Sequence, residues 1–192
     1  MFITLALTTG LRRGELLGLE WKHIDIDNGM IDVCQSLTFS HDQRYTVKEP
    51  KTKSSLRNVT LPASIITDLK AYKKECSKDR MKTEELWEGG EHFFAFTSWN
   101  GKPLSPSSVT LWWGRFKKRA KLKHIRFHDL RYTSATLLLN QGVHAKIISS
   151  RLGHSNISTT MNIYAHALRE ADQAAADTFN SLFTPKVEKK IN

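Results

Sequence analysis

Apolar positions along this chain change period twice, and those changes mark out its elements. Residues 1–9 are apolar at helical density, and Gly10 is placed to end that helix. The segment GLRRGELLGLEW then predicts a second short helix, with Gly14 as a break and Leu16, Leu17 and Leu19 as its apolar face. Alternation takes over at Ile24 and Ile26, then at Met30, Ile31 and Val33, around Asp27-Asn28-Gly29. Asn-Gly favours a tight turn, so this stretch reads as a hairpin. Two further strands are expected at 45–48 and 57–61, joined by the basic connection KEPKTKSS and closed by Pro62. Ile65, Ile66, Leu69 and Tyr72 return to helical spacing over 64–76, and the polar stretch 77–91 reads as a surface excursion. HFFAFT predicts a short strand and SWNGKPLS a turn.

From Ser105-Pro106, a favourable helix start, the pattern stays helical: 107–120, 128–140, 145–151, 157–164 and 167–181, punctuated by Gly142 and Gly153. The expected fold is mixed α/β, predominantly α-helical, with a small antiparallel β-sheet near the N-terminus. No repeat, low-complexity tract or interdomain linker interrupts it. Leu168, Ala171, Ala175, Phe179 and Leu182 lie on one face of the last helix. That face either closes the domain's own core or docks on a neighbouring protomer.

Composition narrows the class. No apolar run approaches the roughly 18 residues that a membrane span needs, and the apolar start lacks the basic region and cleavage site of a signal peptide. Cys34 and Cys76 are too few for a disulfide framework or a cysteine zinc site, and they suit a reducing compartment. The formal net charge of +10 points to a polyanionic partner, most simply nucleic acid. Between Lys102 and Arg131 stand nine Lys or Arg residues and one acid, Asp129, dense enough to coat a surface with phosphate contacts. Residues 128–151 resemble a helix-turn-helix in outline, but the second helix offers few base-reading groups. The aspartates around 25–27 lack the spacing and the closing glutamate of a calcium loop.

Four segments carry candidate chemistry: TTGLRRGEL with Arg12, PKTKSSLR with Lys51 and Lys53, HDLR with His128 and Arg131, and LGHSNISTTMNIYAH with His154 and Tyr164. Each has a bland explanation alone. His128 can be a capping residue, Arg131 a solvated one, His154 a helix-start hydrogen bonder and Tyr164 a half-buried helical tyrosine. Together they supply a hydroxyl, two guanidiniums, an ammonium and two imidazoles. Paired guanidiniums suit the nonbridging oxygens of a phosphodiester, because each presents a planar fork of donors. The acids Asp25, Asp27, Glu49 and Asp129 stand in separate contexts, so the pattern does not read as a magnesium nuclease, and neither metal nor cofactor is expected.

In these motifs the chain resembles the tyrosine recombinase, or phage integrase, family, and most closely the integrases of prophages and integrative conjugative elements of low-GC Gram-positive bacteria. TGLRRGEL, PKTKSSLRNVTLP, HDLRYTSATLLLNQG and LGHSNISTTMNIYAH stand in the family's order from about residue 4 to residue 166. The resemblance implies the DNA breaking-rejoining catalytic fold over residues 1–183, with 184–192 a polar flexible tail. It also implies that the arm-binding and core-binding domains that precede it in the family are absent from this chain. It assigns Arg12, Lys51, His128, Arg131, His154 and Tyr164 to catalysis, with Lys53 the competing choice for the lysine. Arg13, Lys53, Arg115, Lys117, Lys118, Arg119, Lys121, Lys123 and Arg126 fall to DNA binding. The implied partners are double-stranded attachment-site DNA, an assembly of four full-length protomers on two duplexes, and an accessory excision or host DNA-bending protein. The fragment alone is expected to be monomeric and without a membrane partner, in a bacterial cytoplasmic, nucleoid-associated setting. A type IB topoisomerase would share the nucleophile chemistry, and a plain DNA-binding module would share the charge.

Overall fold

The computed structural model describes residues 1–40, 42, 44–50, 55–123 and 125–183, with the backbone alone at 166, 167, 170, 171 and 180–182. The first helix, α1 (Phe2–Thr9), ends at Gly10 as its sequence predicts, and α2 spans Arg13–Leu17. Gly14 does not break the chain as expected. It lies inside α2, where a Cβ would come within 3.0 Å of the Leu37 carbonyl oxygen, so the glycine lets α2 press on the neighbouring strand.

The hairpin forms as β1 (Ile24–Asp25) and β2 (Met30–Val33), with Ile24 opposite Ile31. Asp25 accepts from both the backbone and side-chain nitrogens of Asn28, so its carboxylate is occupied by the turn itself. After β2 come β3 (Ser36–Phe39), β4 (Tyr45–Lys48) and β5 (Arg57–Thr60). β5 pairs antiparallel with the other edge of β2, giving the order β1-β2-β5, and β3 and β4 form a separate two-stranded ladder. The sequence pattern missed β3, which alternates over only four residues and buries just Leu37.

Helix α3 (Ala63–Thr83) outruns the expected 64–76 by a polar extension. Lys78 pairs with Glu75 and Lys82 with Asp79, the i,i+3 contacts that sustain a solvated helix. HFFAFT is not a strand. It makes two isolated bridges, Phe94 with Glu20 and Thr97 with Pro103, while Phe94, Ala95 and Phe96 are buried in sequence. Its apolar run reflects burial on all sides, and its pairing is confined to isolated bridges such as the one beside Leu19–Trp21.

Helices α4 (Pro106–Arg119), α5 (Asp129–Asn140) and α6 (Ala145–Leu152) agree with expectation. The last helix, α7 (Ile157–Phe183), is continuous where two helices were expected. No Gly or Pro stands between 164 and 167 to stop it. One core joins α1, α2, the three-stranded sheet, α3, α4 and the start of α5. A smaller one, built on Ala135, Leu139, Ile148 and Leu152, joins α5, α6 and the first turns of α7. Beyond those turns Leu168, Phe179 and Phe183 are exposed. Among the described residues no helix is long and apolar enough to cross a membrane.

Candidate active site

The two cores meet where α1 and α6 end, and that junction collects the arginines. A helix end leaves carbonyl oxygens without intrahelical partners and carries partial negative charge. At the end of α6, three successive carbonyls each accept from a different arginine. Arg57 Nε donates to Arg151 O at 2.7 Å, Arg131 Nη2 to Leu152 O at 2.6 Å, and Arg12 Nη2 to Gly153 O at 2.8 Å. The end of α1 does the same: Arg131 Nη1 donates to Gly10 O at 2.6 Å, and Arg151 Nη2 to Thr8 O at 2.7 Å.

Arg131 is buried, and both of these bonds go to neutral carbonyls rather than to a carboxylate. Burial, and then the charge of Arg12, press its pKa down to about 9. It remains a cation at neutral pH, and its surroundings favour an anion. Arg12 is more open, with its side chain 38% exposed. Its Nη1 donates to Glu15 Oε1 at 2.7 Å, and its backbone nitrogen donates to Glu15 Oε2 at 2.8 Å.

A pocket of about 230 Å³ opens onto these groups, lined by Arg12, His128, Arg131, Tyr132, His154 and the α7 entry residues Ser155 and Thr159. Four residues singled out from sequence, Arg12, His128, Arg131 and His154, are thus brought together from three of the four segments. His154 Nδ1 is 2.8 Å from the Thr160 hydroxyl, so Nε2 is the ring nitrogen without a hydrogen bond among the described residues. Burial, then Arg131 and Arg12, push the His154 pKa down to about 4. His128 is lowered for the same leading reasons, burial and then Arg131. Both imidazoles are therefore neutral at pH 7.

Tyr164 does not line this pocket. Its ring is half-buried against the α5–α6 core, one turn beyond Thr160 on the helix whose start forms the pocket wall. Tyr132 does line it, edge-on to His128 at 5.5 Å between ring centroids. Lys51 and Lys53 lie outside the described residues.

Beside His128 a larger cleft of about 650 Å³ runs between α2, α4 and residues 126–128. Of the basic residues expected to meet DNA, Arg13, Lys117 and Arg126 line it. Arg115, Lys118, Arg119, Lys121 and Lys123 are exposed on α4 and the turn after it, outside that lining. Consecutive residues on a helix point about 100° apart, so one dense run of lysines cannot face one groove. Sequence reasoning missed Glu15, Arg57 and Thr160. Glu15 stands three residues after Arg12, a helical pairing distance that could have flagged it. Nothing local marks Arg57.

The sequence pattern described as the Phage integrase family matches residues 1–171. The chain is 36% identical over 188 residues to a protein of Caldanaerobacter subterraneus subsp. tengcongensis named Tyrosine recombinase XerC-like, covering 93% of this chain and 48% of that protein. It is 33% identical over 181 residues to the ICEBs1 integrase of Bacillus subtilis, covering 94% and 48%. It thus spans about half the length of the curated relatives it matches. The Tn1549 transposon integrase in complex with circular intermediate DNA superposes at a TM-score of 0.72 with 29% identity, over 92% of this chain and 58% of that one. The crystal structure of XerA recombinase shares the fold at a TM-score of 0.66, with 24% identity over 90% of this chain and 56% of its own.

Proposed function

The chain belongs to the phage integrase family, and from that membership we propose that it is the catalytic domain of a site-specific DNA recombinase, which breaks and rejoins duplex DNA to integrate or excise a mobile element. The observation that carries this reading is the pair Arg12 and Arg131 opening into one pocket with two neutral imidazoles. Arg131 is buried with its guanidinium donating to the Gly10 and Leu152 carbonyls, so a phosphate that enters gains a cation already stripped of water and held in place.

In the proposed reaction Arg12 and Arg131 hold the nonbridging oxygens of the scissile phosphate. Tyr164 attacks phosphorus, a 3′-phosphotyrosyl bond forms, and the bond to the 5′-oxygen breaks. Lys51 gives the leaving oxygen its proton, with Lys53 the alternative donor. His128, held neutral by burial and Arg131, can accept the proton from the tyrosine. His154, with Nδ1 held by Thr160, offers Nε2 to a phosphate oxygen. A 5′-hydroxyl of the partner strand then attacks the phosphotyrosyl phosphorus, a new 3′–5′ diester forms, and Tyr164 leaves and takes its proton back. The energy of the diester is conserved in the tyrosyl ester, so no nucleotide is consumed, and the guanidiniums supply the positive charge that a metal would otherwise bring. Since Tyr164 is packed against the α5–α6 core, the start of α7 must shift or turn the ring to bring its oxygen to phosphorus.

The proposed DNA substrate goes with a proposed setting in the cytoplasm, at the nucleoid. The full-length protein is proposed to act as four protomers on two duplexes, aided by an excision or DNA-bending protein. The exposed Phe179 and Phe183 near the end of α7 suit a contact with a neighbouring protomer.

The test is a covalent trap. A pool of nicked duplexes of random sequence is presented to the chain, and protein–DNA species that survive denaturation are collected. The expected result is an adduct that mass spectrometry maps to Tyr164 and that Tyr164→Phe abolishes. An adduct on Tyr132 would remove Tyr164 from its role. DNA binding with no adduct at all would reduce the chain to a binding module.

A further inference from the structure

We infer that Arg57 is a positioning residue that keeps Arg12 available to phosphate by committing the Glu15 carboxylate to itself. The inference rests on reading the Arg12–Arg131 pocket as a phosphate site. It concerns a residue that is not among those lining the pocket.

The geometry is a three-body competition. Glu15 is buried, its side chain 7% exposed, and two arginines reach it. Arg57 is equally dry at 6% and grips both carboxylate oxygens, Nη2 to Oε2 at 2.9 Å and Nη1 to Oε1 at 3.2 Å. Arg12 reaches only Oε1 with its guanidinium, and its remaining Nη goes to Gly153 O. One negative charge cannot neutralise two guanidiniums. The bidentate, water-free pair is the tighter of the two, so Glu15 and Arg57 cancel each other. Arg12, at the pocket edge, keeps its net charge.

Arg57 is fixed for this role from three directions. Besides Glu15 it donates to Arg151 O at 2.7 Å and to Ser55 O at 3.1 Å, and so ties α2, α6 and the start of β5 together. Gly153 lies against it: a Cβ there would come within 2.9 Å of Nη1. Without the Arg57 charge, Glu15 would remain a buried carboxylate with Arg12 as its counter-ion among the described residues. A buried charge left in that position re-pairs wherever it can. Arg12 would then close on Glu15 as an internal ion pair, and the pocket would lose one of its two phosphate-holding cations.

Charge and shape are separable by substitution. Arg57→Gln keeps a polar side chain but no charge. Arg57→Lys keeps the charge but loses the planar fork and the carbonyl bonds that depend on it. Inorganic phosphate is titrated into the intact chain, and its affinity is read from the ring-proton resonances of His154, which lines the pocket. Arg57→Gln should weaken phosphate roughly tenfold, about the worth of one charge-assisted hydrogen bond. Arg57→Lys should lower the melting temperature yet hold phosphate nearly as the parent does. Glu15→Gln combined with Arg57→Gln removes both charges of the pair, frees Arg12 again and should recover most of the lost affinity.

A merely structural Arg57 would give the opposite order: affinity would follow melting temperature, and the double variant would be worst of all. That order would overturn the inference. So would parent-like phosphate affinity in Arg57→Gln, or a tenfold loss in Arg57→Lys. A parent chain whose His154 ignores phosphate would overturn it as well. The covalent trap judges the proposed reaction separately, since it reads a bond to Tyr164 rather than an anion in the pocket.

Discussion

Gly153→Ala tests whether the arginine cluster is as tightly held as the distances imply. Gly153 closes α6 in the left-handed region at φ +67°, and a Cβ there would lie 2.9 Å from Arg57 Nη1 and 3.1 Å from its Cδ and Cζ. Two costs add. A side chain in that backbone conformation costs about 1–2 kcal/mol. Crowding a packed neighbour costs about 1–3 kcal/mol more, because Arg57 cannot retreat from bonds to Glu15, Arg151 and Ser55. Gly142 supplies the control. Its φ is +76° and a Cβ at that position would meet no atom within 4 Å, so Gly142→Ala carries only the first cost. A domain of this size loses roughly 2–4 °C of melting temperature per kcal/mol. Gly153→Ala should therefore melt about 2–12 °C below Gly142→Ala when both are followed by circular dichroism in one buffer. In an Arg57→Ala background, less stable in itself, Gly153→Ala and Gly142→Ala should cost the same, since the obstructed side chain is gone. Equal melting temperatures for the two glycine variants would refute the crowding argument.

The His154 pKa of about 4 lies below its ordinary 6.5, so between those values the folded chain binds fewer protons than the unfolded one. Stability should be complete above 6.5 and fall as pH drops toward 4; urea midpoints across this range should show the slope, and His154→Gln should flatten it. Lys117 lines the large cleft and Lys118 does not. Lys117→Gln should reduce the salt dependence of DNA affinity by about one unit of log–log slope, and Lys118→Gln should leave it nearly unchanged; equal slopes for the two would place DNA elsewhere. Phe179 and Phe183 are 60% and 79% exposed, so replacing both with Ser should change the chain's unfolding free energy by less than about 0.5 kcal/mol. A larger loss in chemical denaturation would show that the end of α7 packs on its own domain.

Period and punctuation alone made much of this protein legible. The opening helix and its end at Gly10, the Asn-Gly hairpin, and α4 to α6 follow from local rules: apolar spacing, turn residues and helix starts that act within a few positions. Motif order made Arg12, His128, Arg131 and His154 readable as candidates, because their residue types and sequence neighbours are local too. Tertiary structure decided the rest. HFFAFT looked like a strand because full burial and pairing leave the same apolar trace, and α7 ran through 164–167 because nothing there forbids it. No periodicity could reveal that three consecutive carbonyls at the end of α6 hold Arg57, Arg131 and Arg12, drawn from positions 94, 21 and 141 residues away from their acceptors. Nor could it reveal that Glu15 answers Arg57 rather than Arg12 alone, or that Tyr164 rests against the α5–α6 core. Those are contacts between distant segments, and their energies depend on burial and on which charges share a dry space. Neither is a property of any stretch of sequence by itself.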